Sequence, residues 1–285
     1  MMLLICGGQF DTNVQVLLNR LRQRNVPFCD LLVGPGHPPR LQIDLQSNVC
    51  TLNGNAIAPT GCFFRHDVFL YECSDTAAAR ASAMNWYHAI QGWVASQPSI
   101  RSFNQFSHLR ENNKIQNLLL ARDCGLSTPD TIVTNHLAGF DGSQEFIRKP
   151  VAGGEYTRLL GDMEHGPSLP YPHFVQPRLQ RPEMRFYRIG ARIIAFRLNS
   201  PAIDYRSTRD VEITAADVPA SIGGNLLRLC DRLALDFAAA DFMEDQNGGL
   251  QFLEINSQPM FTAFDRAVDG RICDAIIDEL SGCLR

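Results

Sequence analysis

The sequence predicts an α/β protein with more than one compact unit, and three observations support this. Residues 3–33 follow the pattern strand, glycine turn, helix, strand, which is typical of a βαβ unit with parallel strands. Near the C-terminus, an Asn-Gly pair separates two apolar runs with alternating polarity, which is a strong hairpin signal. At 285 residues, the chain is long enough for about two domains with cores of their own.

The composition is that of an ordinary globular protein, with 45% hydrophobic and 20% charged residues, and it excludes disordered and collagen-like structure. The net charge of −4 argues against non-specific nucleic-acid binding, which needs a basic surface. No apolar run approaches the roughly 20 residues of a membrane span, and the N-terminal residues lack the basic start of a signal peptide. The nine cysteines include no Cys-x-x-Cys pair, which argues against a zinc site or a secreted disulfide framework. We expect a cytoplasmic protein with mostly buried thiols and with no nucleic-acid or membrane partner.

The pattern separates an N-terminal segment from a second unit that begins near residue 100. In the first segment, strands at 3–6 and 29–33 flank an amphipathic helix, and a long helix is predicted over 77–94. The turn Gly7-Gly8 lacks the full G-x-G-x-x-G pattern, so it indicates a dinucleotide site only weakly.

Two lysines stand out among the basic residues. Twenty-four of the 26 are arginine, and only Lys114 and Lys149 are lysine. A compact ammonium and a planar guanidinium are not interchangeable at a tight site. Lys114 follows two asparagines, either of which can cap a helix, so it lies in a first turn where the macrodipole disfavours a cation unless an anion is close. Lys149 ends a strand and precedes Gly153 and Gly154, an arrangement that can bind phosphate. A solvated lysine and an ordinary hairpin turn are the alternative interpretations.

The hairpin of residues 239–256 gives the sharpest geometric prediction. With Asn247-Gly248 as a two-residue turn, Asp241 lies directly opposite Glu254, and Asn256 lies two residues further along the same face. Facing carboxylates repel unless a cation lies between them. Carboxylate and amide oxygens without histidine or thiol favour a hard cation such as Mg²⁺. The alternative is an exposed Asp241 and a Glu254 that is paired with an arginine.

Between the second lysine and this hairpin, residues 174–179 form a strand that enters a bend. A further hairpin follows, with arms at 183–189 and 192–198, in which Glu183 and Arg185 share a face. Arg206 lies in the loop after it. Without further context, both arginines are expected at the surface.

In this order, the segments resemble the ATP-grasp superfamily of carboxylate ligases. The matching parts are Lys114 at a helix start, "GLSTPDT", Lys149-Pro150 with its glycine loop, "FVQPRL", "EMRFYRIGARIIAF" and "ADFMEDQNGGLQFLEINSQP". Within the superfamily, "TPDTIVTN", "RPEMRFYRIG", "DYR" and "FLEINSQP" are most similar to microviridin-type (graspetide) peptide ligases. Ribosomal-protein glutamate ligases and glutathione synthetase are more distant relatives. The upstream "CFFRHDVF" and "SFNQ" also resemble the peptide-ligase group.

The resemblance implies an ATP-grasp fold with an N-terminal Rossmann-like pre-ATP-grasp domain and the nucleotide bound between two sheets. It implies a substrate domain at 1–100, a lid-bearing small subdomain at 101–172 and a metal-binding subdomain at 173–285. The residues it implies are Lys114, Lys149, Gly153 and Gly154 for the ATP phosphates, Gln176, Pro177, Arg178 and Leu179 for adenine, Glu183 for the ribose, Asp241, Glu254 and Asn256 for Mg²⁺, and Arg185 and Arg206 for the γ-phosphate or the substrate carboxylate.

Two of the departures from the family pattern concern the nucleotide site. Pro177 has no N–H, so the backbone donor to adenine must come from Arg178 or Leu179. Position 239 is alanine where many relatives have arginine, and Arg206 is expected to take that role.

The implied activity is ATP-dependent formation of an amide or ester bond through an acyl phosphate, with ATP and Mg²⁺ as cofactors. Two Mg²⁺ ions are expected, and Mn²⁺ is expected to substitute. The leading hypothesis is a ligase that modifies a ribosomally made peptide. The alternatives are an amino-acid ligase that acts on a small carboxylate or a peptide terminus, and a non-catalytic nucleotide-binding regulator. An amine or a hydroxyl serves as the nucleophile, and relatives suggest a homodimer.

Overall fold

The computed structural model describes residues 1–34, 39–65, 76–105, 112–137, 139–140, 145–152, 157–160, 168–201 and 211–282. The chain divides into two compact units, one of Met1–Phe106 with Gln258–Arg285 and the other of Ser107–Ser257. The boundary near residue 106 lies close to the predicted start of the second unit. Residues 258–282 belong to the first unit, and the predicted division at residue 172, inside the second unit, stays a prediction.

The structure contains the predicted helices and strands in their predicted order, together with elements that the sequence analysis did not predict, among them α4 (Ala220–Arg232), α5 (Thr262–Arg266) and α6 (Arg271–Leu280). The first unit begins with β1 (Leu3–Gly8), α1 (Thr12–Gln23), β2 (Phe28–Val33), β3 (Leu41–Asp44), β4 (Val49–Leu52), β5 (Asn55–Ile57), β6 (Gly61–Phe64), α2 (Thr76–Ala95) and β7 (Arg101–Ser102). The second unit contains α3 (Lys114–Asp123), β8 (Ile132–His136), β9 (Phe146–Pro150), β10 (Arg158–Leu159), β11 (Ser168–Pro177), β12 (Gln180–Ile189), β13 (Arg192–Asn199), β14 (Glu212–Ala216), α4 (Ala220–Arg232), β15 (Phe237–Glu244) and β16 (Leu250–Asn256). The chain returns to the first unit with α5 (Thr262–Arg266) and α6 (Arg271–Leu280). None of the described helices combines the length and the apolar character that a membrane crossing needs.

The first unit contains the predicted βαβ arrangement. Its main sheet has the order β2-β1-β6-β7 with all strands parallel. Asp11 caps α1, and its carboxylate accepts a hydrogen bond of 2.9 Å from the Asn13 N–H. Because this carboxylate occupies the positive end of the helix, the turn after β1 is unsuited to a phosphate group. The weak indication of a dinucleotide site there has no support from this geometry.

The cysteines are mostly buried, as predicted from their number and spacing. Seven of them lie in the described part of the chain, none forms a disulfide there, and only Cys29 is partly exposed. Burial raises the pKa of Cys29 and of Cys50 to about 11, so these thiols stay protonated at neutral pH. Cys73 and Cys283 lie outside the described residues.

The second unit is built on two antiparallel sheets. One has the order β10-β9-β11-β8 and the other the order β14-β13-β12-β15-β16. Consecutive strands β11 and β12 belong to different sheets, and residues 178–179 join them. The core of this unit includes, from the sheets and from both helices, Leu118, Ala121, Phe174, Phe186, Leu226, Leu229, Phe242 and Phe252. Since side chains alternate along a strand, residues 185 and 241 point to the face opposite this core.

The turn between β15 and β16 differs from the predicted one. The strands end at Glu244 and resume at Leu250, which leaves a five-residue loop instead of the two-residue turn Asn247-Gly248. Asp245 stabilises the longer loop, because its side chain accepts the N–H groups of Asn247 at 2.8 Å and of Gly249 at 2.9 Å. An odd loop length by itself would turn Asp241 away from Glu254.

A β-bulge restores the predicted register. Phe242 pairs with Phe252, but the adjacent Asp241 pairs with Glu254, so Leu253 is the extra residue on β16. The burial pattern shows the same break in alternation, since both Phe252 and Ile255 are buried in the core. The predicted pairing of Asp241 with Glu254 is therefore confirmed, although the predicted turn is wrong.

Candidate active site

The five-stranded sheet places charged residues of three neighbouring strands in one row. Arg185 on β12 pairs with Asp241 on β15, which in turn pairs with Glu254 on β16. Residues that lie directly opposite each other share a face of the sheet. In the next row, Ala239 lies opposite Asn256. The two rows together therefore bring the three predicted metal ligands and one of the predicted arginines onto one face of the sheet.

Arg185 neutralises Asp241 in a buried, bidentate ion pair. Its Nε donates to Oδ1 at 2.6 Å and its Nη2 donates to Oδ2 at 2.8 Å. Both side chains are less than a tenth exposed. Burial raises the pKa of the Asp241 carboxyl, and the guanidinium opposes that rise. Asp241 is thus buried and paired, contrary to the alternative of an exposed side chain.

Lys114 neutralises Glu254 from the start of α3. Asn113 caps this helix by accepting the N–H groups of Ile115 and Gln116. The Lys114 Nζ then donates to Glu254 Oε2 at 2.7 Å. Desolvation alone would raise the pKa of Glu254, but the ammonium outweighs it and the pKa lies below its usual value. Glu254 is the anion that the position of Lys114 at a helix start predicts.

Lys149 carries a half-buried ammonium near the end of β9. It lies on β9 opposite Phe174 of β11, with its Nζ 5.6 Å from the centre of that ring. Among the described residues it makes no hydrogen bond or ion pair. Its pKa is lowered to about 8, mainly by desolvation, while nearby Glu254 opposes this shift and nearby Lys114 adds to it. Because an unpaired charge in a partly desolvated place is costly, this ammonium indicates the place of an anion that the described residues do not supply.

The predicted metal ligands form a donor set of hard oxygens. The Asn256 Nδ2 lies 3.5 Å from Glu254 Oε1, so the amide and the carboxylate are neighbours. Each carboxylate oxygen keeps a second lone pair beyond the hydrogen bond it accepts. The described residues contain no group of three or more His, Cys, Asp or Glu that could hold a metal. A Mg²⁺ ion would therefore depend on Asp241, Glu254, Asn256 and added phosphate oxygens, a combination that this ion prefers.

The bend between the two sheets carries the residues expected around adenine. Pro177 ends β11, and the Arg178 N–H donates to the Glu145 carbonyl oxygen at 2.6 Å. Of the two backbone donors considered for adenine, that of Arg178 is thus already in use, which leaves the N–H of Leu179.

Two polar side chains lie near this bend. The Gln176 Nε2 donates to Thr131 Oγ1 at 2.8 Å, while its Oε1 is buried and has no hydrogen-bond partner among the described residues. Glu183, on the same face as the charged row, accepts a hydrogen bond of 3.3 Å from Arg181. A buried acceptor without a hydrogen bond is rare in folded proteins. The side-chain oxygen Oε1 of Gln176 is therefore a candidate acceptor for a donor group of a ligand.

Three predicted site residues lie outside the described residues: Gly153 and Gly154 of the glycine loop, and Arg206. Two further asparagines lie at the site: Asn117, to which the sequence analysis gives no role, and Asn112, which it gives only as a possible helix cap, a position that Asn113 occupies. The Asn112 Nδ2 donates to the Ile255 carbonyl oxygen at 3.1 Å, and the Asn117 Nδ2 donates to Asn112 Oδ1 at 2.6 Å. The one feature of the sequence that could have indicated these two residues is the polar Asn117 at an inward position of the predicted helix.

Neither a protein-family model nor a curated protein matches the sequence. Among solved structures, the ATP-grasp ligase PsnB in complex with Mg, ADP and a phosphomimetic variant of its minimal precursor has a TM-score of 0.76 at 22% identity, over 97% of this chain and 98% of that chain. A RiPP-associated ATP-grasp ligase from Chryseobacterium gregarium, in complex with ADP and a leader and core peptide, has a TM-score of 0.79 at 18% identity, over 100% and 97% of the two chains. The macrocyclase MdnC from Microcystis aeruginosa, bound with its precursor peptide MdnA, has a TM-score of 0.75 at 19% identity, over 98% and 99%. These likenesses span nearly the whole chain and agree with the fold that the sequence motifs imply, so the chain has the ATP-grasp fold.

Proposed function

We propose that this chain is an ATP- and Mg²⁺-dependent ligase that joins an acidic group of a ribosomally made peptide to an amine or a hydroxyl. The observation that carries the proposal is Lys149, a half-buried, desolvated ammonium that has no ion-pair partner among the described residues. Its electrostatic neighbours are Glu254, Lys114, Asp241 and Glu183, which are the residues expected around a nucleotide.

The charge balance of the site favours a nucleotide that carries its own metal. We define the charged cluster as Lys114, Lys149, Arg185, Asp241 and Glu254; the charge of Glu183 is balanced by Arg181 at 3.3 Å. Its three cations and two carboxylates leave one positive charge in excess. A free divalent cation would increase that excess, whereas a triphosphate with its metal brings a net negative charge. The cluster is therefore matched to the complex of ATP with Mg²⁺.

The parts of the nucleotide can be assigned to described residues. Lys149 and Lys114 would bind the phosphates, with Lys114 leaving Glu254 to do so. The Leu179 N–H and the Gln176 carbonyl would form hydrogen bonds with the adenine ring and its amino group. Glu183 would accept a hydrogen bond from the ribose hydroxyls. Asp241, Glu254 and Asn256 would hold Mg²⁺, which when bound neutralises phosphate charge during phosphoryl transfer.

A carboxylate is a poor electrophile, and phosphorylation changes this. Transfer of the γ-phosphoryl group of ATP to the peptide carboxylate gives an acyl phosphate and ADP. The amine or hydroxyl then attacks the acyl carbon, phosphate leaves with the bonding electrons, and an amide or an ester forms. Phosphoryl transfer is mainly a matter of positioning and of charge stabilisation, which the cationic side chains of the cluster supply. Arg185 has two of its nitrogens on Asp241, so its proposed contribution to the γ-phosphate is indirect, through the placement of that carboxylate.

The peptide substrate is supported by what the similar solved structures contain. PsnB, MdnC and the Chryseobacterium ligase are each described in complex with a precursor or with leader and core peptides. An amino-acid ligase remains the alternative for the same site. The number of Mg²⁺ ions, the lid at Gly153 and Gly154, the role of Arg206 and a homodimer stay predictions.

Incubation with ATP, Mg²⁺ and acidic, Thr/Ser/Lys-containing peptides tests the proposal by the mass of the peptide and by ADP formation. Loss of one water per new bond supports cyclisation, whereas gain of an amino-acid residue supports the alternative. Lys149→Met and Glu254→Gln should abolish ADP formation. Glu212→Gln removes an exposed carboxylate from β14 of the same sheet and should leave turnover unchanged. Wild-type turnover in either site variant would refute the assignment.

A further inference from the structure

The β-bulge that aims Glu254 at Asp241 is held from outside the sheet. β16 ends the order of its sheet, so its outer side has no neighbouring strand among those described. Two hydrogen bonds replace such a strand. The Phe252 N–H donates to the Ser127 carbonyl oxygen at 2.7 Å, and the Ile255 carbonyl oxygen accepts from the Asn112 side chain at 3.1 Å. The two bonds bracket the extra residue Leu253 and the adjacent Glu254.

Asn112 is itself held in place by a buried partner. The Asn117 Nδ2 donates to Asn112 Oδ1 at 2.6 Å, and Asn117 is only 1% exposed. Asparagine is a poor helix former, and its inward position on α3 lies among apolar residues such as Leu118 and Ala121. Its own Oδ1 has no hydrogen-bond partner among the described residues. A buried asparagine of this kind adds little to stability, so we infer that Asn117 serves to orient the side chain of Asn112.

We propose that Asn112, oriented by Asn117, is a positioning residue that locks the β16 bulge and so keeps Glu254 and Asn256 on the metal-binding face. The inference rests on the proposed function, because it assigns these two side chains to Mg²⁺. Bulges next to active sites commonly re-aim a side chain. If the bulge were lost, the register of the following residues would slip by one, and Glu254 would turn from Asp241 toward the core.

The position of Asn112 explains how one hydrogen bond influences both Lys114 on α3 and Glu254 on β16. It lies two residues before Lys114 and binds the residue that follows Glu254. The bond therefore fixes the start of α3 to the end of β16, and with it the 2.7 Å contact between Lys114 and Glu254. Neighbouring Asn113 has a different task, since its side chain caps the helix through Ile115 and Gln116.

The positioning role of Asn112 can be tested by measuring Mn²⁺ binding to the 285-residue chain with saturating ADP. Electron paramagnetic resonance reports the binding. Asn112→Ala removes both bonds of the side chain, whereas the isosteric Asn112→Asp can still accept from Asn117 but cannot donate to Ile255. Both should weaken Mn²⁺ binding by about tenfold or more, as is typical when a group that supports metal ligands is removed. The matched control Asn113→Ala loses the helix cap and some thermal stability, but should bind Mn²⁺ within about twofold of wild type.

A second measurement is independent of the metal. Hydrogen exchange of residues 250–257 in the nucleotide-free protein should be faster in Asn112→Asp than in Asn113→Ala, because only the first variant releases the bulge. Wild-type Mn²⁺ affinity and exchange in Asn112→Asp, or losses no larger than those of Asn113→Ala, would overturn the positioning role and leave the proposed function intact. Failure of the wild-type protein to bind Mn²⁺ with ADP would overturn both.

Discussion

Replacement of Lys114 by methionine should have opposite effects on two affinities: that of the nucleotide-free protein for a divalent cation and that of the protein for metal-free ADP. The Lys114 ammonium lies 2.7 Å from Glu254 Oε2 and occupies a carboxylate that is proposed to bind the metal. In Lys114→Met, that carboxylate is free for a divalent cation, so the nucleotide-free protein should bind Mn²⁺ more tightly. Metal-free ADP should bind more weakly, because one proposed phosphate ligand is lost.

The size of the effect follows from the geometry of the pair. At 2.7 Å, the Coulomb energy is about 1.5 kcal/mol in bulk water and about 6 kcal/mol at an effective dielectric constant of about 20. Each side chain is about a quarter exposed, so desolvation and lost side-chain entropy reduce the net value to about 1–1.4 kcal/mol. This corresponds to a gain of about fivefold to tenfold in Mn²⁺ affinity.

This gain can be measured by titrating the nucleotide-free protein with Mn²⁺ at low salt. The electron paramagnetic resonance signal of free Mn²⁺ gives the fraction of the ion that is bound. Arg122→Met is the matched control, because it removes a cation from the last turn of the same helix. That variant should change Mn²⁺ affinity by less than about twofold, since screening weakens distant charges. A Lys114→Met protein that binds Mn²⁺ no more tightly than wild type would refute the reasoning that this lysine competes with the metal.

The remaining predictions concern pH and stability. The pKa of Lys149 is lowered to about 8, and a bound phosphate favours its charged form. The affinity for ADP, measured by calorimetry, should therefore fall about tenfold per pH unit above pH 8. An affinity that stays constant from pH 7 to 9.5 would contradict this. In the ligand-free protein, the unfolded chain alone holds this proton between about pH 8 and 10, so this lysine should make the free energy of unfolding rise with pH there. Arg185→Met leaves Asp241 buried without its cation and should lower the free energy of unfolding by about 3–5 kcal/mol in urea titrations, whereas the double variant with Asp241→Asn should recover part of the loss. Gly224→Ala in the interior of α4, where an added Cβ meets nothing within 4 Å, should raise stability by about 0.5–1 kcal/mol. Gly61→Ala should lower stability, because its Cβ would clash with the backbone oxygen of Leu280 in α6; equal effects of the two glycine variants would count against this packing argument.

Local patterns in the sequence predicted the types of many elements and named residues that the structure brings close together. The period of the apolar residues predicts α1, because a helix buries one face with a fixed spacing, and the Ala, Met, Trp and Ile content predicts α2. The rarity of lysine points to Lys114 and Lys149, and the structure finds both beside the row of carboxylates.

The register of the β15–β16 hairpin shows where sequence reasoning reaches its limit. The pairing of Asp241 with Glu254 is correct, but it results from a five-residue loop and a bulge, not from a two-residue turn. The bulge is held by Ser127 and Asn112, which lie more than a hundred residues earlier in the chain. No local pattern around Leu253 reports those contacts.

The sequence by itself determined which groups the site contains: two rare ammonium groups and a set of carboxylate and amide oxygens. Only the tertiary structure decided how their charges are divided, with Arg185 on Asp241, Lys114 on Glu254 and Lys149 left without a close anion among the described residues. The physical reason is that burial and ion pairing depend on groups from α3, β9, β12, β15 and β16, which become neighbours only when the chain folds.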